Sequence, residues 1–426
     1  MLSTAVDFGI GRWLESTDNR TKRKRAVALS LTVNLGLLAF FKYAGFFIDS
    51  WIDAWSTLGV DMHRPSIQII LPVGISFYTF QTLSYTLDVY RHQLKASADW
   101  LEFAAYVSFF PQLVAGPIER ASRLLPQLQR LRRVTEVGAW VGLRMIAWGL
   151  FKKVVIADSA AQYANAIFGA SDSFQGPILV LGVVAFAIQI YGDFSGYSDM
   201  AIGLGRLFGL RLKSNFRFPY FSRNVAEFWR RWHISLNAWF RDYLYIPLGG
   251  SKGAQWQSLR NVAVVFLVSG LWHGADWKFV IWGGIHAALF VPVFVMGRNK
   301  VEWGPFRWSH ALNMSWTFAL VCFAWVFFRA DSWHHATGML AGMTKGWSEG
   351  LSGWGQMRTF WAGTDERFFL LFFGLFMVLE WLQFHRGIRW MWRGIWRHAW
   401  VEALFVLGAL MFSLRNEAST FIYFAF

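Results

Sequence analysis

Cysteine is nearly absent: Cys322 is the only one in 426 residues, and it sits inside an apolar run. One thiol gives no disulfide framework and no cysteine-based metal site. Acidic residues are also scarce, 26 Asp and Glu against 41 Lys and Arg. There is no Walker loop and no Rossmann glycine fingerprint. No GxSxG elbow occurs; Ser195, in YGDFSGYSDM, is followed by a glycine but lacks the rest of that motif. His233, His273 and His286 fit no helical HxxxH pair, so no metal site is expected from them. Asp7, Arg12 and Glu15 interrupt the chain before any sustained apolar region, and a cleavable signal peptide is therefore not expected.

What is abundant is apolar and aromatic. Hydrophobic residues make up 55% of the chain and aromatic ones 19%, with 26 Trp and 42 Phe, which is the composition of a polytopic membrane protein and not of a soluble domain. The net charge of +15 lies in short clusters between apolar runs. That layout follows the positive-inside rule and argues against a nucleic-acid partner. Nothing suggests a separate soluble domain or an internal repeat, so residues 1–426 read as one membrane-embedded domain in contact with lipid.

Charge alternation predicts the order of the spans. The cluster Arg20, Lys22, Arg23, Lys24, Arg25 precedes a helix over about 26–48, with Asp49, Asp53 and Asp61 in the loop on the far side. A span over about 67–90 returns to Arg91, His92 and Lys95. The segment 100–113 has basic residues on both flanks, and Pro111 and Gly116-Pro117 supply the break that a re-entrant piece requires. Residues 138–156 go out to a loop carrying Asp158 and Asp172, and 177–204 come back to Arg206, Arg211, Lys213 and Arg217. Later spans are expected over 310–328, 368–384 and 401–414, with a basic cluster of Arg386, Arg389, Arg393 and Arg397. The total is roughly nine or ten membrane segments. Asp193 and Asp199 read as membrane-edge polar groups or as packing groups inside the bundle.

Two stretches carry candidate chemistry. From Pro219 to Gly250 a helical period places Arg230, His233, Asn237 and Arg241 on one face, and Phe228, Trp232, Leu236, Trp239 and Tyr243 on the other. This predicts an amphipathic helix at the cytoplasmic boundary. From Leu259 to Phe290 an apolar segment rises from Arg260 to Leu271, meets Trp272-His273-Gly274, turns at Ala275-Asp276 and restarts. The first arm is shorter than the roughly 20 residues that cross a hydrocarbon core, so His273 is expected to be left at depth, where an ionisable group marks function. A histidine there can act as a general base towards a hydroxyl. His233 reads either as a second functional histidine or as a solvated polar-face residue, and His286 as a packing or hydrogen-bonding residue.

FWRRWHISLNAWFRDYLYIPLGG followed by SGLWHGADWKFVIWGGIHA resembles the membrane-bound O-acyltransferases, in particular the bacterial branch of alginate O-acetylation, peptidoglycan acetylation and teichoic-acid D-alanylation membrane proteins. LPVGISFYTFQTLSYTLDVYR, FFPQLVAGPIER and YGDFSGYSDMAIGLGRLFGLRL extend the likeness from about Val33 to the last residue. The resemblance implies an all-α ring of membrane segments, with re-entrant and amphipathic helices, around a thin centre. A cytoplasmic acyl thioester enters on one side and an acceptor funnel opens on the other. The family's invariant histidine maps onto His273 and its second motif histidine onto His233, within a catalytic motif region spanning 219–290. The family also implies further hydrophobic helices ahead of the segment STAVDFGIGRWLE, which this sequence does not contain.

Read with that resemblance, the chain is a multi-pass protein of the bacterial inner membrane. It is expected to pass a short acyl group, acetyl from acetyl-CoA, to hydroxyls of an exported polysaccharide, with a periplasmic or extracellular acyltransferase as partner. His273 is the base and His233 an orienting group, while Arg230, Arg241 and Asn237 are candidates for holding the donor, since guanidinium forks suit phosphates. The ending Phe421-Ile422-Tyr423-Phe424-Ala425-Phe426 has the form F-x-Y-x-x-F and resembles the end of the small partner peptide in D-alanylation systems. Tyr423 is therefore either an acyl carrier or an aromatic interface anchor. D-alanyl transfer to teichoic acid, an acyl-carrier protein as donor, a transporter and a silent scaffold for an external transferase remain as alternative expectations.

Overall fold

The computed structural model describes residues 1–63, 69–300, 307–347, 354–356, 367–386 and 399–415, which form helices and connecting turns without a strand. Among the described residues, four helices are long and apolar enough to cross a membrane: Arg20–Ser56, Pro177–Leu207, Trp277–Val295 and His310–Arg329. Other helices pack beside them, including Ile75–Tyr90, Arg367–Arg386 and Ala399–Arg415.

The central element is Pro177–Leu207. Its residues are mostly buried and it packs along Glu136–Leu150, whose course continues through a π-helical turn, Phe151–Ala157, into Asp158–Gly169. The two backbones approach closely because glycines face each other. A Cβ on Gly149 would lie 2.5 Å from the Gly196 carbonyl, and one on Gly196 would lie 2.7 Å from the Gly149 carbonyl. Small residues at such a crossing let helices gain packing contacts that lipid tails cannot supply.

The loop expected around Asp158 is helix, Asp193 is buried inside the bundle, and Asp199 is half-buried beside a cavity between the helices. The reason is a pair of buried ion clusters. Lys152 Nζ lies 3.0 Å from Asp199 and 3.5 Å from Glu380, and Tyr191 donates its hydroxyl to Glu380 at 2.7 Å. Lys153 Nζ lies 2.8 Å from Asp158 and 2.9 Å from Asp193. The π turn widens the helix at Lys152 and Lys153, so that two consecutive cations reach different carboxylates. Buried charges are retained only when paired in this way.

At the N-terminal end, Asp7 accepts hydrogen bonds from Ser30, from Asn34 at 2.6 Å and from Thr86 at 2.9 Å, tying three helices together. Arg23, counted in the sequence with the basic cluster, is buried and donates to the carbonyls of Leu14, Val89 and Tyr90, the exposed ends of two neighbouring helices.

The expected single helix over 219–250 is broken. Helices run Val225–Arg231 and Ile234–Phe240, followed by a π turn, Arg241–Tyr245. The break falls at Trp232-His233, where His233 takes the left-handed conformation with φ +43. The neighbouring 210–218 loop competes for the backbone: Ile234 N donates to Asn215 O at 2.9 Å, and Ser235 donates its hydroxyl to Asn215 Oδ1 at 2.6 Å. His233, Asn237 and Arg241 therefore do not share one helical face with Arg230.

The segment ending at His273 is also longer than its apolar stretch. It starts at Gln255, not Arg260, and at 1.5 Å per residue it extends about 28 Å. His273 is its last residue, so it is buried by the helices around it and not by an arm that stops short.

Candidate active site

His273 closes the Gln255–His273 helix, and its position is set by how that helix ends. The last carbonyls of a helix lack intrahelical partners. Here they are taken by the π turn Ala39–Tyr43 within Arg20–Ser56. Tyr43 donates its hydroxyl to Leu271 O at 2.8 Å, while Lys42 Nζ donates to Trp272 O at 2.6 Å and to His273 O at 3.1 Å. Gly274 follows because a Cβ there would run into the Phe279 ring. Asp276 then accepts from Lys278 N at 2.9 Å and starts Trp277–Val295. The two arms form a close hairpin, in which Gly270 and Gly283 each face a backbone carbonyl of the other arm. Lys278 Nζ donates to Ala330 O at 3.0 Å and fastens the turn to the end of His310–Arg329.

The imidazole of His273 is held edge-on by Trp272, Trp282 and Phe328, with ring centroids 5.0, 5.2 and 5.5 Å away. It is 8% exposed, and that exposure is towards a cavity of about 210 Å³. The cavity is lined by the 71–77 turn, Val114, Lys42, Trp272 and His273. A base at the floor of a small, partly enclosed cavity can meet a hydroxyl while excluding bulk water.

His233 also packs against Trp272. Its ring centroid is 6.1 Å from that indole and 4.7 Å from Phe194, and the residue is 1% exposed. Neither of its ring nitrogens has a hydrogen-bond partner among the described residues. A buried imidazole with both nitrogens unsatisfied, on strained left-handed backbone, is costly for folding, and such residues cluster at functional sites. This corrects the reading of His233 as a solvated polar-face residue. The structure thus brings the two histidines against one tryptophan, although 39 intervening positions keep them apart in the chain.

The other expected site residues lie elsewhere. Asn237 donates to Trp229 O at 2.7 Å and Trp232 O at 2.6 Å, stitching the break beside His233. Arg230 is exposed and donates to Asn299 O at 2.6 Å. Arg241, also exposed, pairs with Asp242 at 2.7 Å. None of the three lines the His273 cavity. His286 is fully buried and accepts from Trp229 Nε1 at 3.3 Å. Tyr423 lies outside the described residues, as do Arg389, Arg393 and Arg397. Among the described residues no three His, Cys, Asp or Glu side chains gather as a metal site.

Lys42 is the residue that sequence reading missed. Its spacing within an apolar helix signals nothing, and its partners lie more than two hundred residues later. The available signal was a lone cation in the middle of a membrane-length run, which by default suggests function.

The model of the membrane-bound O-acyltransferase family matches residues 89–331, which include both histidines and Trp272. A probable alginate O-acetylase AlgI from Azotobacter vinelandii is 41% identical over 341 residues, covering 80% of this chain and 67% of that protein. A peptidoglycan O-acetyltransferase from Helicobacter pylori is 35% identical, covering 80% and 68%. A teichoic acid D-alanyltransferase from Bacillus subtilis is 28% identical, covering 64% and 72%. The chain spans about two thirds of the length of such relatives, and 62% of the AlgI protein from Pseudomonas aeruginosa. With the matched region running through the buried histidine pair and across more than half of the sequence, this chain belongs to the membrane-bound O-acyltransferase family.

Proposed function

We propose that this chain transfers an acetyl group from acetyl-CoA, supplied on the cytoplasmic face of the inner membrane, to a hydroxyl on the opposite face, for O-acetylation of an exported polysaccharide. The observation that carries the reading is His273 on the wall of a cavity, with His233 packed against the same tryptophan. Lys42 is about 26 Å along its helix from Arg25, the last residue of the basic cluster, at 1.5 Å per residue, which leaves it within the hydrocarbon and nearer its far side. With the basic cluster at Arg20 in the cytoplasm, the cavity belongs to the far side. Arg230 and Arg241, on the segments around His233, then belong to the donor side, where an anionic thioester carrier would meet them. The ring of membrane segments and their full number, roughly nine or ten by charge alternation, are part of the same proposal.

In this reading His273 takes the proton from the acceptor hydroxyl as its oxygen attacks the thioester carbon, and returns it to the departing thiolate. His233 orients or hydrogen-bonds the donor. Tyr423 serves as an intermediate acceptor that hands the acetyl group to an external acyltransferase. The relatives' names favour acetyl over D-alanyl, because the more similar ones are O-acetylating.

One incubation tests donor and relay together. Purified protein with acetyl-CoA is expected to release free thiol and to gain one acetyl mass that Tyr423→Phe does not gain. Release only from a D-alanyl thioester on a carrier protein would replace the donor, and an adduct unchanged in Tyr423→Phe would remove the relay.

A further inference from the structure

Lys42 is more than a cap on the Gln255–His273 helix. An ammonium has three N–H donors. Two are taken at 2.6 and 3.1 Å by the carbonyls of Trp272 and His273, and among the described residues the third meets Ser76 Oγ at 3.4 Å, the longest of the three contacts. Lys42 and His273 line the same cavity, and among the described residues no aspartate or glutamate lines it with them. The cavity therefore holds a cation and an imidazole with no carboxylate counter-charge on its wall. A cap alone requires neither the cavity nor a π turn; the π turn sets Lys42 where it reaches both the helix end and the open space.

We propose that Lys42 is a catalytic residue, the donor that stabilises the oxyanion formed on the acyl carbonyl; this rests on the acyl-transfer reading above. The acceptor oxygen forms a bond to the carbonyl carbon and its proton goes to His273. The C=O electron pair moves onto oxygen, where Lys42 Nζ donates its third N–H. Collapse restores C=O and breaks the C–S bond, and the thiolate takes the proton from the imidazolium. Atoms and charge balance without a co-reactant. Fixed donors aimed at a developing oxyanion in a partly enclosed cavity are worth about 10²–10³ in kcat each.

The test rebuilds the charge on a single protein. Lys42→Cys is assayed for thiol release from acetyl-CoA, untreated, after aminoethylation with 2-bromoethylamine, and after methylthiolation with methyl methanethiosulfonate. Cys322 is buried, and wild type treated identically is the control. Untreated Lys42→Cys is expected to lose about 10²–10³ in kcat per folded molecule with the KM for acetyl-CoA held within a few-fold. Aminoethylation should restore at least a tenth of wild-type kcat, and methylthiolation should restore none. Equal activity in the two modified forms, or wild-type kcat in the untreated one, overturns the assignment. A cap-only lysine gives that second result, with the loss appearing in unfolding temperature instead. If Lys42→Cys does not fold, Lys42→Arg and Lys42→Met decide: at least tenfold higher kcat in the arginine variant at similar KM supports the role, and equal kcat removes it. Absence of thiol release in wild type would instead remove the acyl-transfer reading.

Discussion

His273→Ala is expected to lower the rate of acyl transfer by about 10²–10⁴-fold, the range for removing a positioned general base. It should leave unfolding temperature and detergent elution profile close to wild type. The expectation follows from placement. His273 lines the cavity together with Trp272, whereas the helix end is held through backbone carbonyls by Lys42 and Tyr43. Truncating the side chain leaves those bonds in place and enlarges the cavity. His273→Gln, closer in size, should be equally inactive, because an amide neither takes nor returns a proton at neutral pH. Turnover within about tenfold of wild type in either variant, measured as thiol release per folded molecule, would assign the base elsewhere.

The second large effect is on stability. Lys152→Met is expected to destabilise the bundle by about 3–5 kcal/mol, because it leaves Asp199 and Glu380 facing each other in the interior without their cation. Lys152 is 4% exposed and Glu380 also accepts from Tyr191, while Asp199 is half-buried beside a cavity of about 450 Å³ that all three line, so water can take over part of the contact to Asp199 and the loss falls towards the lower end of that range. The triple change Lys152→Met, Asp199→Asn, Glu380→Gln should recover at least half of the loss, since no charge is then left unpaired. Unfolding followed by tryptophan fluorescence in detergent reads both. A single variant as stable as wild type would show that the cluster is hydrated and not a packed ion network.

Much of the fold was legible because membrane helices are written in length and composition. Pro177–Leu207 and the hairpin at Trp272-His273-Gly274-Ala275-Asp276 follow from apolar runs and turn residues. The break at His233 was not legible. Residues 225–245 keep a helical period throughout, and what stops the helix is a competing set of bonds from Asn215 in a different segment. The same limit applies to Asp158, which reads as a loop residue, and to Asp193 and Asp199, whose choice between membrane edge and bundle interior is made only when Lys152 and Lys153 are brought against them. His273 could be singled out by the motif around it. Lys42 carried only the general signal of a lone cation in an apolar run, and its contact with the His273 segment exists only where two distant helices meet.

The most direct measurement uses sealed proteoliposomes of known orientation, with radiolabelled acetyl-CoA confined to the face carrying the Arg20 cluster and a hydroxyl acceptor confined to the other. Labelled ester on the acceptor side, free thiol on the donor side, and loss of both in His273→Ala are the expected result. Label crossing as intact acetyl-CoA, or ester forming only when both substrates share one side, would contradict a single imidazole serving both faces.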